Sequence, residues 1–159
     1  MDELTLQRIK QAHPILRDEL RKEYEYCNQK LLGKYVRLRF AYAYRTNEEQ
    51  HELSLKRPRV TNADGGQSIH NYGLAFDIVL LYDKDKNGTF ETASWEQNED
   101  WRKVAEYFKS KGWEWGGDWK TFKDRPHFQK AFGFSWKSLK QRVDNNITII
   151  DGGITYPKI

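Results

Sequence analysis

Cysteine is nearly missing from this chain, and Cys27 is its sole copy. A lone thiol leaves the redox compartment undecided and offers no cysteine pair to hold a metal. No apolar run is long enough to cross a bilayer, and a charged content of 31% argues against a membrane span. The opening Met1-Asp2-Glu3-Leu4 lacks the basic, apolar, small-residue order of a secretory signal, so the expectation is a product made in the cytoplasm without a signal peptide. Repeats, low-complexity tracts and a linker to a second domain are also absent, and 159 residues are read as one domain with a single core. Nor do the basic residues form a block. A net charge of +4 and a pI near 9.0 arise from Lys and Arg spread along the chain. That balance suits solvated Lys-rich faces as well as an anionic partner such as nucleic acid, phospholipid or the acidic bacterial wall.

What is present centres on residues 68–81, Ser68-Ile69-His70-Asn71-Tyr72-Gly73-Leu74-Ala75-Phe76-Asp77-Ile78-Val79-Leu80-Leu81. From Leu74 to Leu81 every residue but one suits a buried strand, and the exception is the acid Asp77. Burying that carboxylate unpaired costs on the order of several kcal/mol, so it calls for a cationic or metal partner. His70 precedes it across an expected turn at Asn71-Tyr72-Gly73, which can fold the imidazole back to the start of the strand. Downstream, Pro126 forces Arg125 to be extended, so His127 is expected to open another strand. Two imidazoles and one carboxylate, His70, Asp77 and His127, are the ligand set of an open zinc site. Asp124 is then free to act as a base.

The surrounding elements follow from periodicity. Leu4, Leu6, Ile9 and Ala12 mark a first helix; Pro14 fits the first turn of a second, running through Ile15, Leu16, Leu20, Tyr24 and Cys27 to Leu31, with Gly33 ending it. Cys27 reads as a small buried apolar side chain. Val36, Leu38, Phe40 and Tyr42 alternate with Arg37 and Arg39 as a half-exposed strand. Thr46-x-x-Glu49 is a capping box opening a short helix with Gln50 and Leu53, and Arg45 stands at the junction. Residues 56–67 read as a loop, in which glycines either admit an extended ligand or simply turn. Asp83, Asp85, Asn87 and Thr89 with Gly88 follow the opening of a calcium loop, but Ser94 stands where its bidentate Glu belongs; a polar hairpin turn is the competing reading. Asn98 caps a helix carrying Trp101, Val104, Ala105 and Phe108 that Gly112 closes; a strand follows near Trp113-Glu114-Trp115. Trp119 and Trp115 read as core or as a cleft wall. Ser135 caps a last helix, and Ile147–Ile150 with Ile154–Tyr156 form a hairpin. His13 and His51 are expected at the surface, and His51-Glu52 lacks the second His of a zincin motif.

Ser68-x-His70-x-x-Gly73-x-Ala75-x-Asp77, followed by Asp124-x-x-His127, resembles the zinc D-Ala-D-Ala carboxypeptidase and dipeptidase family that includes the VanX and VanY types. The run from Trp113-Glu114-Trp115-Gly116-Gly117-Asp118-Trp119-Lys120 to Asp124-Arg125-Pro126-His127-Phe128-Gln129 is similar to its L-alanyl-D-glutamate endopeptidase branch, which holds phage endolysins and CwlK-type wall enzymes. The likeness spans about residues 4–139, and 140–159 are a C-terminal extension with the hairpin. It implies an α+β fold, a small antiparallel sheet with helices packed on it, shared with hedgehog domains, which hold a comparable metal without turnover. It further implies zinc on His70, Asp77 and His127, Asp124 as general base, Arg45 stabilising the oxyanion as part of Tyr44-Arg45-Thr46 with Gln50, and Ser68 near the substrate. A plain surface Arg and a local turn-fixing bond are the alternatives for Arg45 and Ser68. Gln50 and Trp119 complete the expected substrate contacts. The implied activity is hydrolysis of the L-Ala-D-Glu bond in peptidoglycan by a monomer released to the wall by lysis. Terminal D-Ala-D-Ala cleavage and a non-catalytic zinc-holding module are the rivals; a nucleic-acid binder lacks a motif or a basic stripe.

Overall fold

In the computed structural model, which describes residues 2–159, the chain forms α1 (Glu3–Lys10), α2 (Arg17–Tyr26), β1 (Val36–Tyr42), α3 (Asn47–Leu55), β2 (Ala75–Tyr82) and β3 (Thr92–Ser94). After these come α4 (Glu99–Ser110), β4 (Glu114–Trp115), β5 (His127–Gln129), α5 (Trp136–Asp144), β6 (Thr148–Asp151) and β7 (Ile154–Pro157). This is the expected α+β architecture with an antiparallel sheet.

β2 lies at the centre of the sheet. β1 pairs along one edge, while the other edge is shared by β5 at Ala75–Asp77 and β3 at Leu80–Tyr82; β4 extends β5. Both edges of β2 are therefore hydrogen-bonded, and its apolar run is buried as the composition requires. Alternation sends Phe76, Ile78 and Leu80 to one face, where they join Leu38 and Phe40 of β1 and Phe128 of β5. Phe76 is the hub of this layer, stacked on Phe40 at 4.2 Å and on Phe128 at 5.3 Å, with Phe108 and Trp113 meeting it edge-on. α1, α2 and α4 supply the opposing layer through Ile9, Leu20, Tyr24, Trp101, Val104 and Phe108. Asp77 and His127, directly opposite each other in register, point to the other face.

Several local expectations need correction. The buried stripe of α1 runs through Thr5 and Ile9, while Leu4 is 39% exposed. Thr5 is inside because its hydroxyl donates to Asp2 and accepts from the Phe40 N–H, so its polar atom is satisfied. Pro14 does not open α2. The Leu16 N–H donates back to the His13 carbonyl in a turn, and the helix begins at Arg17. The last turn, Cys27–Leu31, widens into a π-helix that Leu32 closes in an extended conformation, so Gly33 has no capping role. Tyr42 leaves the face shared by Val36, Leu38 and Phe40: Phe40 pairs with Ile78 but Tyr42 pairs with Asp77, so two steps on β1 answer one on β2. The bulge turns Tyr42 outward to 53% exposure. β3, unforeseen in a polar segment, returns against β2 after the 83–91 turn.

The hairpin of β6 and β7 forms its own two-stranded sheet and does not extend the main one. It packs where the α1–α2 turn meets Gly73. His13, expected at the surface, is only 2% exposed: its Nε2–H donates to the Pro157 carbonyl at 2.6 Å and its Nδ1 accepts from the Ile15 N–H. The Tyr156 hydroxyl donates to the Gln11 carbonyl, and Arg17 donates to Asp151 and Tyr156. Gly73 is at φ 72°, and a Cβ there would lie 2.6 Å from the His13 nitrogen, so this junction tolerates no side chain.

Candidate metal centre

His70 is carried by a 3₁₀ turn, Ile69–Tyr72, which Ser68 caps by accepting from the His70 N–H at 3.3 Å. Asn71 secures the turn by donating to the Arg45 carbonyl, and the Tyr72 hydroxyl donates to the Gly66 carbonyl. The His70 ring is anchored through Nδ1, 2.7 Å from the Ala43 carbonyl. A carbonyl only accepts, so Nδ1 carries the proton and the Nε2 lone pair faces the site. His127 enters from β5 with its Nε2 2.7 Å from Gln129 Oε1, leaving Nδ1 towards Asp77.

The inward atoms of His70, Asp77 and His127 lie within 4.8 Å of one another. His70 Nε2 is 3.3 Å and His127 Nδ1 is 3.2 Å from the same Asp77 oxygen, Oδ1. Zinc bonds of roughly 2.0–2.1 Å in tetrahedral array separate neighbouring donors by about 3.3 Å, so this donor set fits a zinc-sized cation. Electrostatics agree. Burial works to raise the Asp77 pKa, but the two imidazoles overcome it and hold the carboxyl well below the usual carboxylate range. His127 moves the other way: burial lowers its pKa, and Asp77 and Gln129 together raise it.

Asp124 reaches the same cleft from the segment before β5. Its N–H donates to the Gly116 carbonyl at 3.0 Å, and a Cβ on Gly116 would stand 2.2 Å from the Asp124 carbonyl oxygen; the close approach demands glycine. Desolvation, then repulsion from Asp77, raise the pKa of Asp124. Arg45 stands at the start of α3, whose capping box by Thr46 and Glu49 forms as expected. Its Nη1 donates to Gln50 Oε1 at 2.9 Å, and its guanidinium lies 5.5 Å from the Tyr42 ring centre. Gln50 is buried and also donates to the Ala63 carbonyl, so its amide is engaged on both sides by the protein.

These groups line a cleft of about 390 Å³ together with Ser68, Tyr42, Leu53, Lys56, Val60 and Thr61. None of those wall residues was legible as such: Tyr42 needed the bulge, and Val60 and Thr61 lie in what read as a connecting loop. An apolar Val60 within a polar stretch was the available signal, and the fold leaves it 64% exposed. Trp119 sits beside the cleft, its ring 5.4 Å from that of His127 and its Nε1 donating to Glu114. Away from the centre, both Asp83 oxygens accept from the N–H groups of Asn87 and Gly88, Asp85 accepts from Asn87, and Thr89 bonds to Asn87 and Glu91. The 83–91 turn thus satisfies its own oxygens, and the structure lends calcium no support. His51 is exposed and bonds to Asp64.

Fold and site together define a mixed helix and antiparallel-sheet protein in which His70, Asp77 and His127 form a cluster that could hold a metal ion. Residues 61–130, which carry every one of the cleft-lining groups except Tyr42, Arg45, Gln50, Leu53, Lys56 and Val60, match the D-alanyl-D-alanine carboxypeptidase family, and the chain also resembles L-alanyl-D-glutamate endopeptidases. It is 42% identical to the peptidoglycan L-alanyl-D-glutamate endopeptidase CwlK of Bacillus subtilis (strain 168), across 54% of this chain and 56% of that one. With the L-alanyl-D-glutamate peptidase of Listeria phage A118 it shares 34% identity, across 51% of this chain and 30% of the other. The chain thus spans about half or less of the curated relatives it matches. Among solved structures, the Serratia marcescens L-Ala D-Glu endopeptidase ChiX superposes with a TM-score of 0.61 at 25% identity, covering 83% of this chain and 90% of that one.

Proposed function

We propose that the protein is a zinc peptidase that hydrolyses an amide of the peptidoglycan stem peptide, the bond between L-Ala and D-Glu. The observation that carries this reading is the convergence of two imidazole nitrogens on one Asp77 oxygen in an open cleft that also holds Asp124 and Arg45. A zinc ion on His70, Asp77 and His127 supplies Lewis acidity, polarising the scissile carbonyl and acidifying water to a pKa of roughly 7. Asp124 accepts a proton as the water oxygen bonds to the carbonyl carbon, then returns it to the amine nitrogen as the carbon–nitrogen bond breaks. Arg45, held by Gln50, presents its remaining N–H donors to the oxyanion that develops. Ser68 and the Tyr42–Thr61 wall flank the extended peptide. A positive net charge of +4 suits an acidic wall as the place of action.

The description of the matched family favours a second reading, removal of a terminal D-Ala from a D-Ala-D-Ala end. Mass spectrometry of fragments released from purified peptidoglycan, with and without a chelator, separates them. New D-Glu amino termini that vanish on chelation support the first, free D-Ala supports the second, and intact stem peptides with metal present reject both.

A further inference from the structure

We infer that Gln129, itself oriented by Glu114, sets which nitrogen of His127 carries the proton and so keeps the Nδ1 lone pair turned to Asp77. The inference rests on the metal-site reading above and concerns two residues to which that reading gives no part.

The argument is one of hydrogen-bond polarity. Trp119 Nε1–H donates to Glu114 Oε2 at 2.8 Å, and Gln129 Nε2 lies 3.4 Å from the same oxygen. An ionised carboxylate only accepts, so the end of Gln129 facing Glu114 must be its NH₂ group. That leaves Gln129 Oε1 against His127 Nε2, 2.7 Å away. An amide oxygen also only accepts, so Nε2 bears the hydrogen, and in a neutral imidazole Nδ1 is then a bare lone pair. Turning the amide over sets oxygen against oxygen at Glu114 and an N–H against Nε2. The imidazole proton then moves to Nδ1, where it donates to Asp77 and no lone pair faces the cation.

Local structure makes this arrangement specific. Glu114 and Gln129 are paired in register across β4 and β5, and strand alternation places Gln129 on the same face as His127, two residues earlier. Trp119 contributes twice, as a donor to Glu114 and as an aromatic wall 5.4 Å from the His127 ring. Gln129 and Glu114 are positioning residues: their neighbours are His127, Trp119 and each other, not the cleft.

The test uses the full chain and two readouts, zinc affinity by competition with a chromophoric chelator and the ¹⁵N shifts of the imidazoles in metal-free protein at a pH where His127 is neutral. Gln129→Leu is expected to weaken zinc binding roughly 10–100-fold and to move the His127 proton from Nε2 towards Nδ1. Gln129→Glu restores an obligate acceptor and is expected to keep the Nε2–H form. Glu114→Gln, at an exposed position that leaves the core untouched, frees the Gln129 amide to turn and is expected to mix the two tautomers. Tight zinc binding and an unchanged Nε2–H form in both Gln129→Leu and Glu114→Gln overturn the inference. Failure of the wild-type chain to bind zinc rejects the metal reading instead, and the tautomer measurement in metal-free protein still decides the inference.

Discussion

The Arg45 N–H donates to the carbonyl of His70 at 3.1 Å, so the residue proposed to meet the oxyanion and an imidazole proposed as a metal ligand are joined through their backbones. With Asn71 donating to the Arg45 carbonyl, the start of α3 and the turn before β2 are tied together at two points. Arg45→Ala is expected to lower kcat by roughly 10²–10³, the usual loss for a missing oxyanion donor, with the metal retained. Gln50→Ala, which frees the guanidinium without deleting it, is expected to cost less. Steady-state kinetics on a stem peptide check this; equal losses in both variants, confined to KM, sink the oxyanion role.

Asp124→Asn is expected to leave zinc bound and the fold intact while lowering turnover roughly 10²–10⁴-fold, the range for a lost general base. Metal analysis beside the rate measurement is the check. Activity close to wild type in this variant removes Asp124 from the mechanism.

His127→Ala and Asp77→Asn are expected to lose both metal and activity. Chelation of the wild type is expected to abolish activity, and added zinc to restore it. Activity that persists in metal-free protein is the contrary outcome.

Glu23 is buried, and the Trp113 Nε1–H donates to both of its oxygens at 3.2 Å. Burial outweighs that bond and raises its pKa above the ordinary 4.5. The folded state thus holds the proton more tightly than the unfolded state, and stability is lost as pH climbs from about 4.5 through the raised value. Glu23→Gln keeps an acceptor for Trp113 without a charge. Its Tm is expected to exceed that of wild type at pH 7 and to match it at pH 4; the same difference at both values contradicts the assignment.

His13 gives the opposite sign. Burial lowers its pKa below the ordinary 6.5, with the charge of Arg17 acting in the same direction against the Pro157 bond. The neutral ring serves two partners at once, and protonating Nδ1 breaks the bond from Ile15. Stability present above pH 6.5 is therefore lost as pH falls towards the depressed value. Hydrogen exchange in β6 and β7 is expected to quicken over that window in wild type and not in His13→Gln. An equal quickening in both assigns the effect to another group.

Motif spacing made the donor set legible because the constraint on it is local: an acid inside an apolar strand demands a partner, and Pro126 fixes the backbone before His127 as extended. Thr46, Asn98 and Ser135 announced their helices for the same reason, since an N-cap is satisfied within its own turn. Local rules also misled. Pro14 is compatible with a helix start but was outbid by the turn at His13, and Tyr42 obeyed its alternation until the bulge.

By itself, then, the sequence determined which side chains could serve a cation and where most of the strands and helices, β3 apart, would lie, because those follow from neighbours a few residues apart. Only the tertiary structure decided that β5 would lie beside β2 with His127 opposite Asp77, that Tyr42 and Val60 would wall the cleft, and that His13 would be buried under a hairpin from the other end of the chain. Those outcomes depend on strand register, on one inserted residue in β1 and on packing between segments more than a hundred residues apart. No local pattern encodes a contact whose partner is that distant, since its energy exists only once the sheet has formed.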